Sequence, residues 1–435
     1  MITKYIKKIS GLSFLLAYSG GLDSTFLFYQ LLKAKKVQPK LKFRAIHINH
    51  QLNKNSNEWN RHCRQVCEKY NITLIEKKAI INKKKLGIEA AARLKRYEII
   101  CNEVLPTEII LTAHNLNDQC ETLFLALKRG SGITGLSGMS YKSKLFNKYI
   151  IIRPLLNIDR SEIQSWISKN NIHWIEDTSN YDTTYDRNFL RHKILPLFTK
   201  RWPNFIEKCA TSTCILKKEK SILDKILEKK LNKYLICNSI LNVTGFTEMK
   251  SEIRYSLLRK WVQINNYTAP SYKMIKAIYY EVILSKPDSK AKVKVNNQEI
   301  KRYKQNLYFV KIVPCIKNLI LTWYPPWNCL KLPNNLGFII QNKFGIVLPI
   351  PKKNEIVNIR FQTSGKVLIQ GNPIRKKIKK IWQEHKINPW NRTNIPLLFY
   401  NNTLISALGI FNVIHDDRKQ SEHTWTLSWI NNIHN

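Results

Sequence analysis

The chain has 435 residues, long enough for two or three domains rather than one growing core. It carries 72 Lys and Arg against 30 Asp and Glu, a net charge of +42 spread along its whole length, which suits a polyanionic partner such as nucleic acid. Composition argues against a membrane span, because no uncharged run nears the ~20 residues required, and nine cysteines without a C-x-x-C pair argue against a disulfide framework or zinc ribbon and for reduced thiols in a cytoplasmic protein.

The first eighteen residues place lysines before Phe14-Leu15-Leu16-Ala17, superficially like a secretory leader. The apolar run is too short for one and leads directly into a Ser-Gly-Gly turn, so it predicts the first strand. Ser19, Gly20, Gly21, Leu22, Asp23 and Ser24 then precede a helical pattern beginning at Thr25. Glycines let backbone approach an anion, and the free N–H groups of the first helical turn point at it. No Gly-Lys-Ser/Thr follows, so this is not a Walker loop. The six residues resemble the SGGxDS pyrophosphate loop of the N-type ATP pyrophosphatases.

Strand and helix patterns alternate from here: Phe43–Ile48, a helix around Glu58–Tyr70, Ile72–Ile75, a helix over Glu89–Val104, Ile109–Ala113 and a helix over Asp118–Lys128. Such alternation predicts an α/β fold with a parallel sheet flanked by helices and ligands at the carboxyl ends of its strands. His47 and His50 have H-x-x-H spacing, but too few further ligands lie nearby in sequence for a zinc site. In the helix from Ile88 to Tyr97 an alanine face suits the sheet, leaving Arg93 and Arg96 for phosphate, carboxylate or plain solvent. His114 and Asp118 follow the strand ending at Ala113. Alone they suit a core histidine and a helix N-cap. Beside the phosphate loop they read as nucleotide contacts, with Asp23 and Asp118 sharing a Mg²⁺. Four glycines between Arg129 and Met139 suit either a loop that closes over substrate or a plain flexible connection.

From about residue 201 long lysine-rich amphipathic segments predict a mainly helical domain to residue 313, closed by a hairpin of Ala291–Val295 and Ile300–Val310. Proline punctuation at Pro325-Pro326 and Pro349–Pro351 reads as a linker over 314–350. A small α+β domain is expected over 351–435, with a basic segment from Arg375 to Glu384 and with Trp382 and Trp390 suited to the core or to base stacking. Residues 1–200 form the expected catalytic domain.

The order of motifs is similar to one family, bacterial tRNA(Ile)-lysidine synthase. After SGGxDS come His47-Ile48-Asn49-His50, the Glu89–Tyr97 helix, Ala113–Thr122 for AHHxDDxxET, Arg129–Met139 for RGSGxxGLxGM, and Arg153-Pro154-Leu155-Leu156. Trp174–Asn180 matches W-x-E-D-x-S-N, and Arg187–Arg191 matches R-N-x-x-R. Weaker likeness continues to Pro389-Trp390-Asn391-Arg392, as in the longer form with a C-terminal domain. Two departures stand in the AHHxDD segment, where Asn115 replaces a histidine and Asn117 an aspartate, and Gln51-Leu52-Asn53 replaces the usual residues after His50.

The resemblance implies ATP-dependent ligation of free lysine to C2 of the wobble cytidine in a CAU-anticodon isoleucine tRNA, through an adenylated intermediate. It implies ATP and Mg²⁺ as cofactors, Ser19 to Ser24 on the phosphates, and Asp23 and Asp118 on the metal. It further implies His114 at the nucleotide or reacting base, and Arg93, Arg96, Arg187 and Arg191 on substrate or tRNA. It implies no oligomeric state. Two rival readings remain: a tRNA thiolase on the same fold, against which the missing C-x-x-C counts, and a catalytically degraded RNA-binding homologue, suggested by Asn115 and Asn117.

Overall fold

A computed structural model describes residues 13–49, 56–79, 88–146, 148–266, 270–286, 289–415 and 423–431. The chain divides into two compact units, residues 1–233 with 256–270, and 234–255 with 271–435. The long helix Phe205–Leu231 thus belongs with the first unit, whereas sequence patterning grouped it with the segment to 313. Its Ile206 and Cys209 pack against Leu116, Cys120 and Leu123 in one cluster, a contact across almost ninety residues that no local pattern reveals.

The first unit is built on a six-stranded sheet: β1 (Ser13–Ala17), β2 (Lys42–Asn49), β3 (Leu74–Lys78), β4 (Glu108–Leu111), β5 (Lys142–Leu145) and β6 (Tyr149–Ile152). The order is β3-β2-β1-β4-β6-β5, parallel throughout except for the β5–β6 hairpin at one edge. Because side chains alternate across a strand, the buried run of β1 serves two cores. Phe14 and Leu16 join residues of α1 (Leu22–Val37) and α2 (Ser56–Lys69), while Leu15 joins Tyr97, Ile100 and Cys101 of α3 (Ile88–Glu103). Strand order reverses between β1 and β4, the place where doubly wound sheets open a crevice. The helix α4 (Leu116–Lys128) follows β4 and α5 (Arg160–Lys169) follows β6. A helical run of Asp186–Phe189, Leu190–Ile194 and α6 (Leu195–Arg201) leads to α7 (Phe205–Leu231).

The second unit holds a five-stranded antiparallel sheet, β7 (Leu235–Cys237), β8 (Ile240–Asn242), β9 (Lys292–Val295), β10 (Gln298–Tyr303) and β11 (Asn306–Lys311), ordered β7-β8-β11-β10-β9. The expected hairpin turns at Asn296-Asn297, and Asn296 takes φ +53°. Its second arm is two strands, because Lys304 also adopts a positive φ and turns β10 into β11. Lysine is no turn signal, so sequence read the arm as continuous. Residues 314–350 are a correction: they are not a linker but carry β12 (Ile320–Trp323), β13 (Leu330–Lys331) and β14 (Phe338–Pro349). Their Ile316, Trp323, Leu332, Ile339 and Leu348 share a core with Val357, Ile359 and Leu427. Trp382 is buried in a neighbouring core, and Trp390 packs edge-on against Tyr308, ring centroids 5.1 Å apart. Both tryptophans therefore pack against protein. Among the described residues no helix is long and apolar enough to cross a membrane, and all nine cysteines are free thiols.

Candidate active site

The Ser-Gly-Gly turn leaves β1 and enters α1 with Gly21 as N-cap and no side-chain cap. The first-turn N–H groups are thereby left to a ligand or water, an arrangement that favours an anion. Gly20 has φ +79°, and a Cβ there would sit 2.4 Å from Ile175 Cδ1 and 2.9 Å from Cys63 Sγ; only glycine fits. The Ile175 N–H donates to the Gly20 carbonyl at 2.8 Å, so the W-x-E-D segment is laid against the loop. Buried Ser24 accepts from the Ser19 N–H at 3.2 Å and donates to the Gly21 carbonyl at 3.0 Å, and the Thr25 hydroxyl donates to the Gly20 carbonyl at 3.0 Å. These hydroxyls wind the loop and leave Ser19 exposed at its mouth.

Asp23 meets the other side of the crevice through Asn115. This residue is fully buried and caps α4: its Oδ1 accepts the Asp118 N–H at 3.0 Å, while Asp118 Oδ2 accepts the Asn115 N–H at 3.0 Å. Such reciprocal capping satisfies two donors at a helix start. The side-chain NH2 reaches the loop, Nδ2 donating to Asp23 Oδ1 at 2.9 Å. One side chain thus joins the two expected acids. Asn117 Oδ1 accepts the Arg160 N–H at 3.0 Å and fastens the start of α5. The two departures from the family motif both carry structural hydrogen bonds.

Behind Asp118 lies Glu121, whose side chain has 0% exposure. Its Oε2 accepts Arg187 Nε at 2.8 Å and its Oε1 accepts Arg191 Nε at 2.7 Å, while Arg191 Nη2 lies 3.3 Å from Asp118 Oδ1. The R-N-x-x-R spacing puts both guanidiniums on one face of the helical run, where they hold the acids of α4. Sequence assigned those arginines to substrate or tRNA and gave Glu121 no role. The clue was an acid one turn after Asp118 on α4, facing two arginines spaced by four.

Burial pushes the Asp23 carboxyl up, and the nearby Asp118 adds to this. Asp118 is also penalised by burial, but Arg187, Arg191 and the Asn115 N–H keep it below the usual carboxylate range. Burial, with Arg93, Arg153 and Arg187 nearby, pushes His114 down to about 3. His114 is therefore a neutral imidazole near neutral pH, with Nδ1 2.9 Å from the Thr112 hydroxyl. Arg93 lies over the Tyr97 ring at 5.3 Å, and Arg96 is exposed on the same helix. The glycine-rich Arg129–Met139 segment is pinned at its end. Gln119 donates to the Met139 carbonyl at 2.8 Å and accepts its N–H at 2.7 Å, and Lys217 donates to the same carbonyl at 2.6 Å. A Cβ at Gly138 would strike Gln119. His47 is buried against the Tyr18 carbonyl at 3.0 Å; His50 and Gln51-Leu52-Asn53 lie outside the described residues.

The loop, two linked acids and half-buried arginine clamp, all at the strand-order reversal, can grip a nucleotide's phosphates and hold charge opposite them. Residues 1–198 match the PP-loop domain family, 241–308 the TilS substrate binding domain and 357–429 the TilS substrate C-terminal domain. A protein named tRNA(Ile)-lysidine synthase from Buchnera aphidicola subsp. Baizongia pistaciae is 52% identical over 100% of this chain and 99% of its own. The chain belongs to the tRNA(Ile)-lysidine synthase family. A further member, from Pectobacterium atrosepticum, is 38% identical over 97% of this chain and 95% of its own. Among solved structures, a U34-tRNA thiolase from Methanococcus maripaludis aligns over 50% of this chain and 78% of its own, at 16% identity and a TM-score of 0.42. As a member of the lysidine synthase family the chain is an ATP-using ligase that modifies tRNA.

Proposed function

We propose that this enzyme joins free lysine to C2 of the wobble cytidine of the CAU-anticodon isoleucine tRNA, in the cytoplasm. The O2 atom of the base attacks the α-phosphorus of ATP and pyrophosphate leaves. The lysine ε-amine then attacks C2, and AMP leaves with the former O2. The C2 oxygen is a poor leaving group until adenylated, and the amine must be neutral to attack.

Ser19 to Ser24 would hold the phosphates with backbone N–H groups and hydroxyls. Asp23 and Asp118 suit a Mg²⁺: they are hard oxygen donors whose mutual repulsion raises Asp23. No group of three candidate ligands occurs among the described residues, which fits an ion that takes one or two carboxylates and completes its shell with phosphate oxygens. When bound, that ion would supply positive charge against the triphosphate. Asn115 orients Asp23, while Arg187, Arg191 and Glu121 orient Asp118. Neutral His114 can hydrogen-bond the nucleotide or base without adding charge. The basic segments of both units would supply the salt-dependent grip on tRNA.

The observation that carries the reading is the Asp23–Asn115–Asp118 link inside a chain matched end to end by lysidine synthases. It also speaks against the degraded homologue, since the replaced positions are tied into the site and both acids remain. ATP–pyrophosphate exchange with and without tRNA tests it: tRNA-dependent exchange is expected, and none under any condition would leave an RNA-binding protein.

A further inference from the structure

Downstream of the arginine clamp the chain exposes an aromatic group that the reaction above does not use. Trp202 ends α6 with 52% of its surface exposed. Its ring is stacked on Phe198, with centroids 5.8 Å apart and planes 23° apart, and Phe198 is stacked on Phe205 at 4.7 Å and 10°. Trp202 also lies near-parallel to Phe205 at 6.1 Å. Phe124 of α4 backs the stack, 5.7 Å from Phe198 and 6.0 Å from Phe205. The platform is therefore anchored on the helix that carries Asp118 and Glu121.

The main chain of Trp202 is also held on both sides. The Trp202 N–H donates to the Phe198 carbonyl at 2.7 Å, and its carbonyl accepts the Phe205 N–H at 3.0 Å. A large apolar ring kept rigid yet half in water gains nothing for the fold by its exposed part. Its setting is cationic: beyond the paired Arg187 and Arg191, the chain from His192 to Lys208 carries four Lys and Arg against one acid, Glu207. The Arg201 guanidinium lies 6.0 Å from the Trp202 ring centroid, and Lys193, Lys200 and Lys208 are exposed. A cavity of about 160 Å³, lined by Glu121, Arg191, Leu195, Pro196 and Thr199 among others, places the start of α6 beside the active-site clamp.

We propose that Trp202, backed by Phe198 and Phe205, is a stacking platform for an unpaired base of the RNA substrate, flanked by cations that take the adjoining phosphates. The inference rests on the tRNA-modifying reading above. Aromatic faces with neighbouring Lys and Arg are how proteins hold unstacked bases, whereas a paired duplex offers no free base face. A protein partner would want an apolar patch with a mixed polar rim; here the flanking charge is almost all positive.

The test compares wild type, Trp202→Ala and Trp202→Phe for binding to two RNAs at several salt concentrations: a hairpin with the anticodon stem and loop, and the same stem closed as a blunt duplex. ATP binding by the RNA-free proteins checks the fold. The alanine variant is expected to lose about 5- to 150-fold in hairpin affinity, the range for one stacked base, with an unchanged slope of log affinity against log salt, because no cation is removed. Duplex binding should hold, and phenylalanine should recover most of the loss. Wild type should also show tryptophan quenching on binding the hairpin that Trp202→Phe lacks. Equal hairpin affinity for wild type and Trp202→Ala, or quenching unchanged in Trp202→Phe, would overturn the platform. If wild type binds neither RNA, the tRNA reading itself fails instead.

Discussion

Replacing Asn115 by serine separates two jobs that one side chain performs. Serine ranks with asparagine as an N-cap, so the bond to the Asp118 N–H, 3.0 Å in the native protein, can be remade. The serine hydroxyl sits one bond short of the position of Nδ2 and cannot reach Asp23 Oδ1, now 2.9 Å away. A hydrogen bond to a charged group contributes about 1.5–3 kcal/mol, and one decade of rate corresponds to about 1.4 kcal/mol. Turnover in tRNA-dependent AMP release should therefore fall about 10- to 150-fold if the oriented Asp23 is needed at the transition state. Asn115→Ala should be as slow, and should lose a further ~1 kcal/mol of stability with the cap. Steady-state AMP release with thermal unfolding of the three proteins reads both quantities. A serine variant within twofold of wild-type turnover would refute the idea that Asn115 positions Asp23.

Asp23→Asn should abolish AMP formation while leaving tRNA binding nearly intact, measured by AMP release beside filter binding, because it removes charge at the phosphates and not the RNA grip. His114 is held at about 3 by burial and its cationic neighbours. The unfolded chain binds that proton below about pH 6.5 and the folded one does not, so stability falls as pH drops from 6.5 toward 3. His114→Gln should lose about 1–2 kcal/mol less than wild type between pH 6.5 and 5 in denaturant titrations. In the C-terminal region Arg375, Lys377, Lys379 and Lys380 are exposed, whereas Lys376 is paired with Glu384. Neutralising those four to Gln should reduce the slope of log tRNA affinity against log salt by about 0.7–0.9 for each phosphate that the variant no longer neutralises, and an unchanged slope would mark them as solvated only. Deleting the chain from Pro349 would be a poor substitute, since β14 pairs with the strand Thr424–Ile430 and would lose its partner.

The catalytic half was legible because its signals are local. Buried parallel strands read as short apolar runs between helical patterns, and a Ser-Gly-Gly turn between a strand and a helix has few other uses. The placement of Ser19 to Ser24, His114 and Asp118 around one crevice follows from strand order and was expected. What sequence missed depends on long-range pairing. The Asn115–Asp23 bond spans 92 residues and the Arg191–Glu121 pair spans 70, and nothing in either local window announces its partner. The strands of 314–350 were hidden by prolines that look like punctuation, although β14 finds its partner strand, Thr424–Ile430, more than seventy residues later. The glycine-rich segment looked free to close because its clamps, Gln119 and Lys217, lie outside it.

Lysidine formation is a covalent change, and mass analysis of the wobble nucleoside decides whether this enzyme makes it. Total tRNA is incubated with the enzyme, ATP and isotope-labelled lysine, then digested to nucleosides. Labelled lysine should appear on the cytidine from the CAU-anticodon isoleucine tRNA, with one AMP and one pyrophosphate released for each lysine joined. ATP cleavage with that cytidine unaltered, or with sulfur in place of lysine, would contradict lysidine synthesis by this enzyme.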